Sequence, residues 1–170
     1  MRFFDLVAVP NAQAMAKRLG YSRIFELGRN REFEVIHSAK EMIGSGKILV
    51  SDDKGAMVAA LRSNAVAGVV AQHGMTKRYV DMLRSEEKVI FISLSKIVKG
   101  ESGRAGALAE VRGLARNAIR GKAKAALVTL ADEKEYMLSV LQALEVAKLA
   151  GIEEFAAKRM LSALGEMHDI

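Results

Sequence analysis

The sequence predicts an α/β fold: a compact, irregular TIM-like (β/α) barrel with parallel strands, formed by residues 1–170 as one domain. Three observations predict it. Short apolar runs recur along the chain, and several are apolar nearly throughout, as Ile48-Leu49-Val50 and Val89-Ile90-Phe91-Ile92 show. Strands covered on both faces read this way. Stretches of helical character stand between many of them, and strand–helix alternation builds parallel sheets. The chain of 170 residues is shorter than a full barrel of about 200 or more, so some helices must be short or missing.

The elements follow in order. A strand over residues 3–9 runs into Pro10, the only proline. A helix is predicted over 11–19, with Asn11 a candidate cap and Gly20 a stop. The strand at 23–27 is separated from the strand at 33–37 by residues 28–32 alone, too short a link for a crossover helix. Gly44-Ser45-Gly46-Lys47 reads as a plain turn, because it lacks the third glycine of a dinucleotide fingerprint and precedes a strand at 48–51. Helix 55–62, strand 67–71, helix 76–84 and strand 89–94 come next. A helix over 103–120 leads to a strand at 125–130. Asp132 is then the expected N-cap of a helix over 133–150, and Gly151 precedes a closing helix at 152–163.

Composition narrows the function. The chain has no cysteine, so disulfides and thiolate metal sites are ruled out and a reducing, cytoplasmic setting is compatible. The apolar run at the start is too short for a membrane helix and lacks a signal-peptide cleavage site. The formal charge is +6, and its placement matters more than its size. Residues 77–124 hold twelve Lys/Arg against five Asp/Glu, a net of +7, and the rest of the chain is close to neutral. A basic excess confined to one segment favours a polyanionic partner.

A catalytic set is not legible. There is no nucleophile elbow, P-loop or zinc-helix motif. His37 and His73 fall near strand ends without ligand-spaced partners, and His168 is near the C-terminus. Asp5 interrupts an apolar strand, so its carboxylate must find a partner or lie at a sheet end. Asp52, Asp53 and Asp132 follow strands, where capping the next helix is the expected role and cation binding the alternative.

The helix at 103–120 carries the most information. Leu108, Val111, Ala115, Ala118 and Ile119 share one face at helical spacing, and Arg112, Arg116 and Arg120 recur at four-residue steps beside it. Lys122 and Lys124 continue the stripe, and Lys96, Lys99 and Arg104 precede it. Only Glu101 and Glu110 offer acidic partners there. Arginine's planar fork suits phosphate oxygens. Aromatic residues are scarce in the segment, so phosphate and shape contacts should outweigh base stacking.

In its order of residues the chain resembles the ribonuclease P protein component 3 family. The resemblance rests on Arg2-Phe3-Phe4-Asp5-Leu6, on Phe91-Ile92-Ser93-Leu94-Ser95 with Arg104 and the basic helix through Arg120, and on residues 125–131. Gly151-Ile152 and Ala156-Ala157-Lys158-Arg159-Met160-Leu161-Ser162 complete it. Tyr136-Met137-Leu138-Ser139 stands about where the family often carries Arg-x-Pro. The resemblance implies a barrel akin to metal-dependent phosphoesterases of the polymerase and histidinol phosphatase type, with Val7 and Val9 in place of their ligand histidines.

The resemblance further implies a subunit of ribonuclease P, an endoribonuclease whose RNA removes the 5′ leader from precursor tRNA. In that setting the chain binds ribonuclease P RNA, ribonuclease P protein component 2 and the other protein subunits. It meets precursor tRNA only indirectly and no membrane. The expected RNA contacts are Lys96, Lys99, Arg104, Arg112, Arg116, Arg120, Lys122 and Lys124. No cofactor or catalytic centre is expected in the chain itself, and Mg2+ would serve the RNA. Two alternatives stand beside this reading. One is a phosphoesterase using Asp5, His37, His73 and Asp132 with a divalent metal. The other is a barrel that holds a phosphorylated metabolite at Gly100 to Gly103.

Overall fold

The computed structural model describes residues 1–28, 33–41, 46–51, 53–71, 75–100 and 103–167. Among these residues all seven predicted strands form, within a few residues of the expected bounds, and every pairing between them is parallel. β1 (Phe4–Val7) pairs with β2 (Arg23–Glu26). β3 (Glu34–Ile36), β4 (Lys47–Leu49), β5 (Val66–Val70), β6 (Val89–Ser93) and β7 (Ala125–Val128) lie side by side in chain order. Leu27 and Phe33 make an isolated parallel bridge between the two sheets. At the other end the Leu130 N–H donates to the Leu6 carbonyl (2.9 Å) and the Ala8 N–H to the Ala131 carbonyl (2.7 Å).

The helices are α1 (Ala16–Leu19), α2 (Lys54–Arg62), α3 (Lys77–Ser85), α4 (Ser95–Lys99), α5 (Arg104–Arg120), α6 (Val140–Leu149) and α7 (Glu154–Ser162). Gly20 stops α1 in the left-handed region at φ 84°. Asn11 takes φ 59° and makes no side-chain cap, and a 3-10 turn (Ala12–Met15) opens that stretch instead. Asp53 caps α2 as expected, its Oδ1 accepting the Ala56 N–H at 2.6 Å. Asp52 lies outside the described residues, as do His73, His168, Glu101 and the Gly44-Ser45 pair.

The helix expected over 133–150 is shorter than predicted. A 3-10 turn (Lys134–Tyr136) comes first, and α6 starts only at Val140. Ser139 and Gln142 form a capping box that satisfies two backbone donors reciprocally, which sets the start there and not at Asp132. α4 was not predicted, because five residues are too few to show a helical period.

Both sheet faces are buried. Leu6, Phe25, Ile48, Val70, Val89, Phe91, Ala126 and Val128 form one cluster, joined by Phe33 and by Leu164 from the C-terminal end. The alternating partners Leu49, Val69, Ile90, Ile92 and Leu127 pack the other face against the helices. α5 docks there through small residues, Ala107, Val111, Ala115 and Ala118, all buried. Among the described residues no helix is long and apolar enough to cross a membrane.

Candidate nucleic-acid interface

The residues that dock α5 also decide what it shows to solvent. Buried positions 107, 111, 115 and 118 put Arg116 and Arg120 on the opposite, exposed side, with Arg112 at its flank. Arg104, at the start of α5, is exposed, and so are Lys122 and Lys124 in the turn after it. Lys122 adopts φ 53°, a left-handed conformation uncommon for a residue with a side chain. Ile119, expected on the buried face, is half exposed, because the sheet is already filled by Ala115 and Ala118.

The eight predicted contact residues divide by what already engages them. Lys96 pairs with Glu110 at 3.0 Å, and Lys99 with Asp132 at 2.7 Å. Lys99 also stands 5.1 Å from the centre of the Tyr136 ring. The Lys99 ammonium holds the Asp132 carboxyl below its usual range. Arg112 keeps an exposed side but donates from Nε to the Ala150 carbonyl at 2.8 Å, tying α5 to the C-terminus of α6. That leaves Arg104, Arg116, Arg120, Lys122 and Lys124 as exposed cations with no hydrogen bond or ion pair among the described residues.

Two further basic residues of the segment have structural duties that the sequence did not reveal. Arg84 Nη1 donates to the Gly121 carbonyl at 3.2 Å, capping α5 from α3. Gly121 permits that approach, since a Cβ there would stand 2.6 Å from Val80 Cγ1. Lys88 Nζ donates to the Ser63 and Val66 carbonyls, and burial lowers its pKa. Arg84 and Arg112 each bond the C-terminal end of a different helix from their own, so the rule that basic residues in a last turn bond that helix's carbonyls could not point to either contact. Arg112→Ala is therefore expected to lower stability by about 0.5–1.5 kcal/mol. A thermal melt checks it, and Arg112→Lys should not restore the loss, because lysine has no donor at the Nε position.

Of the groups in the phosphoesterase alternative, Asp5, His37 and Asp132 each have a local partner, and His73 lies outside the described residues. Asp5 is fully buried: its Oδ1 accepts the Leu6 N–H (2.8 Å) and the Thr129 N–H (2.7 Å), and its Oδ2 accepts the Thr129 hydroxyl (2.7 Å). Burial pushes its carboxyl up to about 6, against the pull of those donors. Burial also raises the pKa of the nearby Tyr21 hydroxyl, and the Asp5 charge adds to the effect. His37 bonds through Nδ1 to the Val50 carbonyl at 2.9 Å. Among the described residues no three His, Asp or Glu side chains come together as a metal site. Gly100 and Gly103 both take left-handed backbone, at φ 70° and 79°, with the two residues between them outside the described set.

The structure also brings to the basic turn what the sequence kept apart. Lys122 and Lys124 line a groove of about 1270 Å³ whose walls include Ile119, Arg159 and the exposed ring of Phe155. Known protein families offer no match to this chain, and neither do curated proteins.

Proposed function

We propose that the chain is an RNA-binding protein subunit of ribonuclease P that assists the catalytic RNA in removing the 5′ leader of precursor tRNA, in the cytoplasm and beside ribonuclease P protein component 2. The observation that carries the reading is the exposed cationic set on α5 and the turn after it, unpaired among the described residues: Arg104, Arg116, Arg120, Lys122 and Lys124. The resemblance of the residue order to that family supplies the identity of the RNA. The reading also takes the strands as a compact, irregular (β/α) barrel. It is supported by the Leu27–Phe33 bridge and by the two backbone hydrogen bonds from β1 to the chain leaving β7.

In this role the arginines and lysines neutralise phosphates that would otherwise draw counterions, so part of the magnesium demand of the RNA passes to the protein. The chain alone should not cleave precursor tRNA. Added to ribonuclease P RNA with the partner subunit, it should lower the Mg2+ needed for cleavage. Arg116→Ala with Arg120→Ala should raise that demand, while melting hardly moves, since exposed changes shift stability by less than about 0.5 kcal/mol each. A magnesium titration of cleavage checks this. An unchanged requirement in a folded variant, or failure of the RNA to co-purify with the chain, overturns the reading.

A further inference from the structure

The solvent face of α5 carries more than charge. Five residues lie along its centre: Gly106, Ala109, Gly113, Arg116 and Arg120, opposite the buried Ala107, Val111, Ala115 and Ala118. The one acidic residue of α5, Glu110, is bonded to Lys96. The exposed face is thus purely cationic, low over its first half and arginine-rich over its second. Among the described residues a Cβ on Gly106 or Gly113 would meet no atom within 4 Å, so no described neighbour requires glycine there. Glycine in a helix interior is unfavourable by backbone entropy, and its usual compensation is the close approach of another backbone.

The geometry points to the phosphate backbone of double-stranded RNA as the occupant of this face. The inference rests on the RNA-binding reading and names the class of RNA. Arg116 and Arg120 are one turn apart, about 6 Å along the helix. They are set on a rigid element, where they can grip neighbouring phosphates of one strand. The sugar–phosphate edge then lies on the bare backbone from Gly106 to Gly113. No aromatic residue is on this face, and single strands are held chiefly by stacking, whereas duplex RNA is read by shape and phosphate contact. The competing surface is the groove beside Lys122 and Lys124, which has Phe155. Its four Lys/Arg, Lys88, Lys122, Lys124 and Arg159, are equalled in number by Glu86, Glu87, Glu153 and Glu166, so it draws a polyanion less strongly than the α5 face, and Lys122 and Lys124 serve RNA from its rim.

The test uses the full chain, an RNA hairpin duplex and one unpaired strand of the same sequence. The duplex should bind several-fold more tightly, and Arg116→Ala with Arg120→Ala should reduce the slope of log affinity against log salt by about two. Gly106→Leu with Gly113→Leu should keep or raise the melting temperature, because leucine is the better helix former, yet weaken duplex binding several-fold. If the leucine variant binds duplex as the parent does while the arginine variant loses it, the duplex edge does not lie on the bare backbone from Gly106 to Gly113, which overturns the inference and leaves the RNA reading standing. Equal binding of the single strand, or a loss on Phe155→Ala as large as on the arginine variant, places RNA in the groove and overturns the inference. A parent chain that binds neither RNA overturns the reading beneath it.

Discussion

Replacing Phe91 by alanine is expected to lower the unfolding free energy by about 3–5 kcal/mol. Phe91 is the middle residue of β6 and fully buried, in a cluster that takes side chains from β1, β2, β4, β5, β6 and β7. Its ring passes over Gly68 on the adjacent β5, where a Cβ would stand 2.4 Å from the ring and 2.6 Å from the Val89 carbonyl. The glycine is therefore a packing requirement, and Gly68→Ala should itself cost about 1–3 kcal/mol by overpacking. Phe91→Leu should relieve only part of that cost, since the second obstacle is backbone. Urea unfolding of both single variants and of the double variant measures the coupling. A loss below about 1 kcal/mol for Phe91→Ala would mean that this face is wetted, and would count against a closed barrel.

The second large effect is a dependence of stability on pH set by Asp5. Its folded pKa of about 6 lies above the unfolded value of 3.8. Between the two the folded protein binds more protons than the unfolded chain, so stability falls as pH rises through this window and levels off above it. The full difference is on the order of 3 kcal/mol. Asp5→Asn should abolish that slope, because the amide carries no charge and its oxygen can still accept the Leu6 and Thr129 N–H groups. Thr129→Val removes the hydroxyl donor from a buried carboxylate, and should cost about 1.5–3 kcal/mol at neutral pH. Chemical unfolding from pH 4 to 7 (about the window set by the two values) reads both variants. A parent protein that gains stability as pH rises across this range, with Asp5→Asn following it in parallel, would show that the buried carboxylate is not the source.

Much of the fold was legible in the sequence because its signals are local. Ile48-Leu49-Val50 and Val89-Ile90-Phe91-Ile92 are apolar on both sides of the strand, which only a sheet covered on both faces requires. Gly20 and Asp53 act where they stand, as stop and cap. The spacing of Ala107, Val111, Ala115 and Ala118 determined that Arg116 and Arg120 face outward.

What only the tertiary structure decided is which charges are already spent. Lys99 meets Asp132, Arg112 reaches Ala150 and Arg84 reaches Gly121, across 33, 38 and 37 residues of sequence. The carboxylate of Asp5 meets Thr129 across 124. A charge count or a helical period cannot report such pairings, because the chain brings these groups together only after its strands have taken their places. Ile119 turned outward for the same reason: periodicity names a face, and the space left by neighbouring side chains determines how wide that face is.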